Sequence, residues 1–131
     1  MKKVFRIIRP VGLKPKPDQY EERIAEICAD LFQSDIEFVV RGSASSPDIK
    51  VLKLGQYWEI KNIRSVGKHA VEDNLRKASK QARNVIISLL KTQSSDSRRV
   101  ESRIRSILAT KRMPIERVIL ITKTGKAIDI R

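Results

Sequence analysis

A chain of 131 residues and 15.0 kDa has the length of one domain, and a hydrophobic fraction of 40% is enough to bury a core without disulfides or a structural metal. Its 28 Lys and Arg against 15 Asp and Glu give a formal charge of +13 and a pI near 10.3, which suits a polyanionic partner, nucleic acid ahead of anionic lipid. The single Cys excludes an internal disulfide or a cysteine-based zinc site, the single His excludes an HExxH zinc centre, and no apolar run approaches the ~20 residues of a membrane span.

No secretory signal is visible, because residues 1–3 lead into a short apolar run stopped by Arg9 and Pro10; synthesis in a reducing cytoplasm is expected. Residues 4–8 predict a short strand. Residues 9–18, with Pro10, Pro15 and Pro17, complete an N-terminal strand and arm (1–18) that ends at Asp18, a helix N-cap. From 19 to 33, Tyr20, Ile24, Ile27, Cys28 and Leu31 recur at helical spacing and predict one buried stripe. Glu21 lies at the edge of that stripe and Glu22 points away, so Glu21 is the better placed to reach a site beneath the helix. Ordinary stabilisation of the helix N-terminus accounts for both equally well.

Residues 36–40 are rich in β-formers and lead through a small-residue loop, 41–46, into a predicted hairpin with strands 49–54 and 57–63. Residues 70–90 begin as a helix, with Val71, Leu75, Ala78 and Ala82 on its buried side, and pass near Arg83 into a β-branched strand. Lys68 precedes it, and Arg76, Lys77, Lys80 and Arg83 make its outer side basic, with Gln81 between them. Residues 92–97 predict a polar, mobile linker within the domain. Residues 98–112 predict a further basic helix with Val100, Ile104, Ile107 and Leu108 inside, ended by Pro114. Strands at 118–122 and 127–130 close a single α/β (α+β) domain, 1–131, with a mixed central sheet flanked by helices.

The stretch PDIKVLKLGQYWEIK, residues 47–61, carries the chemistry. Side chains two apart in a strand share a face, so Glu59 and Lys61 point together with Ile60 opposite, and the hairpin brings Asp48 beside Glu59. Two carboxylates and an ammonium suit metal-dependent phosphodiester hydrolysis: oxygen ligands for a hard cation, Mg2+ or Mn2+, and a positive charge near the attacking water. Asp48, Glu59 and the backbone carbonyl of Ile60 are the candidate ligands, with Lys61 to orient the nucleophile or balance charge. A surface ion pair explains the pattern taken alone. Charge on an otherwise apolar hairpin is costly, however, and a shared metal site gives it a reason.

PDIKVLKLGQYWEIKNI resembles the PD-(D/E)xK nuclease signature, and a helix, three strands and a helix carrying KASKQARNVIISL resemble the common core of that superfamily. WEIKN, LRKASKQARNVII, the basic second helix and the terminal RVILITKTGKAIDI are together similar to the C-terminal tRNA-nuclease toxin domains of contact-dependent growth-inhibition proteins of CdiA type. The similarity runs over nearly all of the chain from Tyr20 onward.

That resemblance implies a restriction-endonuclease-like core and a metal-dependent nuclease. Asp48 and Glu59 would be ligands, Lys61 the catalytic lysine, Glu21 the ligand from the first helix and Gln81 an accessory residue. Lys68, Arg76, Lys77, Lys80 and Arg83 would contact nucleic acid. It further implies tRNA as the favoured substrate, an acidic immunity protein as partner, and action in a bacterial cytoplasm, that of the cell itself or of a target. Charge does not separate RNA from DNA, so a DNA endonuclease of resolvase or restriction type and a non-catalytic nucleic-acid-binding protein of a mobile element stay open, as do monomer and homodimer. The start at Met1 fits an excised toxin domain or a free-standing relative.

Overall fold

Asp18 starts the first helix through a reciprocal cap: the Glu21 N–H donates to Asp18 Oδ1 at 2.8 Å, and the Asp18 N–H donates to Glu21 Oε1 at 3.3 Å. The computed structural model describes residues 4–42, 46–93 and 96–131. It runs β1 (Ile7–Ile8), α1 (Gln19–Phe32), β2 (Ile36–Phe38), β3 (Ile49–Val51), β4 (Gln56–Asn62), α2 (Lys68–Ser79), β5 (Asn84–Ser88), α3 (Ser97–Thr110), β6 (Arg117–Ile121) and β7 (Ala127–Asp129). All seven strands form one sheet in sequence order. The pairs β1–β2, β4–β5 and β5–β6 are parallel and the others antiparallel, which makes the mixed, helix-flanked α/β sheet that the element order predicts. No helix of the described chain is long and apolar enough to cross a membrane.

Three layers result. On one face α1 packs Ile24, Ala25 and Cys28 against Ile36, Ile49, Trp58, Ile60, Ile86 and Ile119. On the other, α2 and α3 bury Val71, Leu75, Ala78, Val100, Ile104 and Ile107 against Val85, Ile87, Val118 and Leu120. β5 and β6 are therefore apolar on both sides, as central parallel strands are. Among the described residues, no side chain of β2, β3 or β4 joins the second core. The two helices cover only one side of the sheet's second face, and the remainder, over β2, β3 and the start of β4 at Tyr57, is left open.

Several expectations shift in detail. Leu31 is 44% exposed and not part of the buried stripe, because the buried arc is centred on Cys28 and takes in the small Ala25 and Ala29, which let the helix lie close to the sheet. The long pattern 70–90 divides near Arg83 as expected, with α2 ending at Ser79 and β5 beginning at Asn84. The first hairpin strand is shorter than expected, since Gly55 takes φ 64° and the chain turns from Leu52 onward, and the second keeps its length but begins and ends one residue earlier. Thr92, placed in a mobile linker by its polarity, is buried and donates its hydroxyl to the Leu89 carbonyl at 2.8 Å; Asp96 caps α3 by accepting the Arg99 N–H at 3.2 Å. Residues 94–95 of that linker, 43–45 of the small-residue loop and 1–3 of the N-terminus lie outside the described residues.

Candidate active site

β4 is the spine of the site. β3 pairs with it only as far as Ile49 opposite Trp58, so from Glu59 onward the β3 side of β4 has no strand beside it. Asp48 takes that place. Its N–H donates to the Trp58 carbonyl at 3.1 Å, and its Oδ2 accepts the Ile60 N–H at 2.8 Å. A side-chain carboxylate thus substitutes for the next residue of the ladder. In an extended strand the N–H and C=O of one residue project to the same side, so the Ile60 carbonyl lies along the edge that Asp48 occupies. The other oxygen of Asp48 accepts from the Arg41 guanidinium at 2.8 Å.

Glu59 is 2% exposed on the face opposite α1. Its Oε2 pairs with Lys61 Nζ at 3.1 Å, and Lys61 also donates to Gln81 Oε1 at 2.9 Å. Gln81 sits in the turn between α2 and β5, so the ammonium is held by β4 itself and by the connection that follows α2. Glu59 Oε1 is buried without a hydrogen-bond partner among the described residues. Burial pushes the Glu59 carboxyl up to about 8; the Asp48 carboxylate beside it adds to the rise, and Lys61 pulls it back. The Arg41 guanidinium is held above its ordinary value: burial opposes its charge, but the hydrogen bond to Asp48 and the charges of Asp48, Glu21 and Glu59 outweigh that.

The two glutamates at the start of α1 part company. Glu22 is bound by Arg9 of the N-terminal arm, with Arg9 Nε donating at 2.7 Å, and points away from the site. Glu21 lines a cleft with Arg41, Asp48 and Leu13, Lys14, Pro15 and Pro17 of the arm. Its carboxyl is raised, first by desolvation and further by Asp18 and Asp48, against the pull of the cap and of Arg41. The cleft therefore contains Glu21, but the cap holds it. Among the described residues no group of three or more His, Cys, Asp or Glu is gathered so as to hold a metal ion. What the geometry assembles is two carboxylates and one carbonyl, with Glu21 at the margin.

That donor set fits Mg2+ or Mn2+. Such hard ions keep several waters and take one or two carboxylates plus substrate phosphate, so a three-carboxylate cage is not required. The orphaned Glu59 Oε1, buried beside a second carboxylate, is the atom that a cation would satisfy.

Of the basic residues, Lys80 and Arg83 flank Gln81 in sequence and Lys68 opens α2; all are exposed, as are Arg76 and Lys77. Arg76 pairs with Glu72 at 3.0 Å and Arg83 with Glu116 at 3.1 Å, exposed contacts of small energetic weight. Two neighbours of the site were not evident from motif spacing. Arg41 looks in sequence like the start of a small-residue loop, and only its lone charge seven residues before Asp48 marked it. Tyr57 shares the parity of Glu59 and Lys61 and looks like an ordinary strand aromatic.

The family described as "Contact-dependent growth inhibition CdiA C-terminal domain" matches residues 45–127, well over half of the chain and the part that holds Asp48, Glu59, Lys61 and Gln81. No curated protein matches the chain. Among solved structures, the CdiA-CT/CdiI toxin and immunity complex from Burkholderia pseudomallei contains a chain of similar fold, with a TM-score of 0.63 and 17% identity over 96% of this chain and 98% of that one.

Two stability measurements test the site's construction in the absence of divalent metal. Asp48→Ala leaves the buried Ile60 N–H without an acceptor and should cost about 1–3 kcal/mol in urea unfolding. Asp48→Asn keeps an acceptor oxygen and should cost less; an equal loss in both would contradict the edge-filling role. The second concerns Glu59, which binds its proton more tightly when folded, at about 8, than at its ordinary 4.5. Its contribution is therefore present below about pH 4.5 and lost as pH rises toward 8. Glu59→Gln should gain on wild type across that window by a few kcal/mol, to order of magnitude. Melting temperatures in chelator at its two ends report this, and a pH-independent difference would contradict it.

Proposed function

Since the chain belongs to the contact-dependent growth inhibition CdiA C-terminal domain family, we propose that it is a toxin domain acting as a metal-dependent endonuclease of PD-(D/E)xK type, with tRNA as its favoured substrate. The observation that carries this reading is the convergence of Asp48, Glu59 and Lys61 at one end of β4, with a buried carboxylate oxygen unpaired among the described residues. Asp48, Glu59 and the Ile60 carbonyl would hold Mg2+ or Mn2+, with Glu21 close enough to feel the Asp48 charge. When bound there, such an ion would supply Lewis acidity toward the phosphoryl oxygens and acidify a water.

The protein's own groups do the positioning. Lys61, held by Glu59 and Gln81, places a fixed positive charge where negative charge builds during phosphodiester cleavage. Arg41 holds Asp48 in place. Lys68, Arg76, Lys77, Lys80 and Arg83 supply an electrostatic attraction to the phosphate backbone that needs no sequence readout. The formal charge of +13 extends that attraction over the whole domain. Such a domain acts in the cytoplasm of a bacterial target cell, and an acidic immunity protein covering the basic cleft would silence it, in keeping with the toxin and immunity pairing named for the structural neighbour.

Incubation with total tRNA, and separately with plasmid and branched DNA, tests the reading. We expect cleavage of tRNA with Mg2+ or Mn2+, its loss in EDTA, and a fall of at least about a hundredfold in Asp48→Asn and Lys61→Ala. Failure to cut any substrate with any divalent metal would end the enzymatic reading, whereas undiminished cleavage by both variants would move the site elsewhere. The partner is tested by co-expression with the product of the adjoining gene: an acidic protein should co-purify in a complex weakened by salt and should block cleavage, and a basic or non-binding product would contradict it.

A further inference from the structure

Tyr57 stands on β4 two residues before Glu59, on the same face as Glu59 and Lys61, which places it about 7 Å along the strand from the carboxylate. Its neighbours on the strand, Trp58 and Ile60, turn into the core beneath α1, but Tyr57 is 44% exposed. Across the ladder it faces Lys50, whose Nζ stands 5.2 Å from the ring centroid. On its other side the Tyr57 carbonyl accepts from Asn84 Nδ2 at 3.0 Å, which ties its backbone to the start of β5, next to the exposed Arg83. The ring therefore lies beside the basic side chain of Lys50 in the row adjoining Glu59, with Arg83, itself paired to Glu116, at the start of the neighbouring strand, on the part of the sheet that α2 and α3 leave open.

A planar ring on a rigid strand, with a cation beside it, offers one surface for a base and charge for an adjoining phosphate. A Lys50–Tyr57 contact made only for sheet stability would be content on any exposed face. Its alignment with the two carboxylates adds a ligand-facing direction, and the charge of the domain selects a polyanion. In a continuous duplex the faces of the bases are covered by their neighbours; an unpaired nucleotide presents a face.

Resting on the nuclease reading, we propose that Tyr57 stacks on an unpaired nucleobase beside the phosphodiester held at Glu59 and Lys61. The substrate is then engaged at an unstacked nucleotide, in a loop or a single strand, and not within a continuous duplex.

The test is a binding measurement that needs no cleavage. Fluorescence anisotropy in EDTA, with the Glu59→Gln protein as parent, compares a short single-stranded oligonucleotide with a blunt duplex of the same sequence. Adding Tyr57→Ala should weaken single-strand binding about tenfold or more and leave duplex binding within about twofold. Tyr57→Phe and Tyr57→Trp should bind as the parent does. The salt dependence should keep its slope, because the ring carries no charge. An unchanged single-strand affinity, an equal loss on both probes, or a Tyr57→Phe loss as large as that of Tyr57→Ala would overturn the proposal. Equal melting temperatures of parent and variants confirm that the ring alone was changed. Because the readout is binding, a protein that cuts nothing with metal defeats the nuclease reading separately from this one.

Discussion

A carboxylate buried beside a second carboxylate is the constraint to which the rest of this structure answers. Glu59 is almost wholly removed from water, one of its oxygens has no hydrogen-bond partner among the described residues, and Asp48 adds like charge to the cost of burial. Lys61 and Arg41 offset that cost from two directions. Lys61 is in turn held by Gln81, across the connection from α2, and Arg41 reaches back from the loop after β2. An apolar pair at these positions would be easier to bury. Keeping the charge leaves a site that gains when a cation or a proton arrives.

The layering makes room for that site. α1 spreads its buried face under most of the sheet, whereas α2 and α3 pack over β5 and β6 and stop short of β2 and β3. Charged side chains on β4 then sit at the boundary between a covered and an open sheet face. Glu59 is buried there by its neighbours, while Lys61 and Tyr57 keep access to solvent. A third helix over the open part would have buried Lys50 and Tyr57 and closed the approach to the carboxylates.

Asp48 joins fold and site in one residue. Where β3 stops, its side chain continues the ladder by accepting the Ile60 N–H, and its second oxygen meets Arg41. The Ile60 carbonyl lies along the same edge. Premature termination of a strand, ordinarily a loss of backbone hydrogen bonds, here creates a row of oxygen atoms. In the family to which the chain belongs this edge falls within the matched region, which begins at residue 45.

Local periodicity carried most of the fold. Helical spacing located α1, α2 and α3, the Asp18 cap set the start of α1, and the change from helical to β-branched pattern near Arg83 separated α2 from β5. The two-residue repeat of a strand also determined that Glu59 and Lys61 would meet, because residues on one strand face need no partner element to become neighbours. Long-range placement was not legible in that way. Helical spacing already put Glu21 nearer the site than Glu22, but it did not show that Arg9, thirteen residues away, binds Glu22, nor that Thr92 is buried at the end of β5. The role of Arg41 arose from the register of β3 against β4, and the exposure of Tyr57 from where α2 and α3 ended their cover. By itself the sequence determined the elements, the shared face of Glu59 and Lys61, and the attraction of the chain to polyanions, since each depends on spacing or summed charge along the chain. Only the tertiary structure decided which acids and cations surround β4, because that depends on which elements the packing of the two cores brings to its edge and which part of the sheet it leaves uncovered.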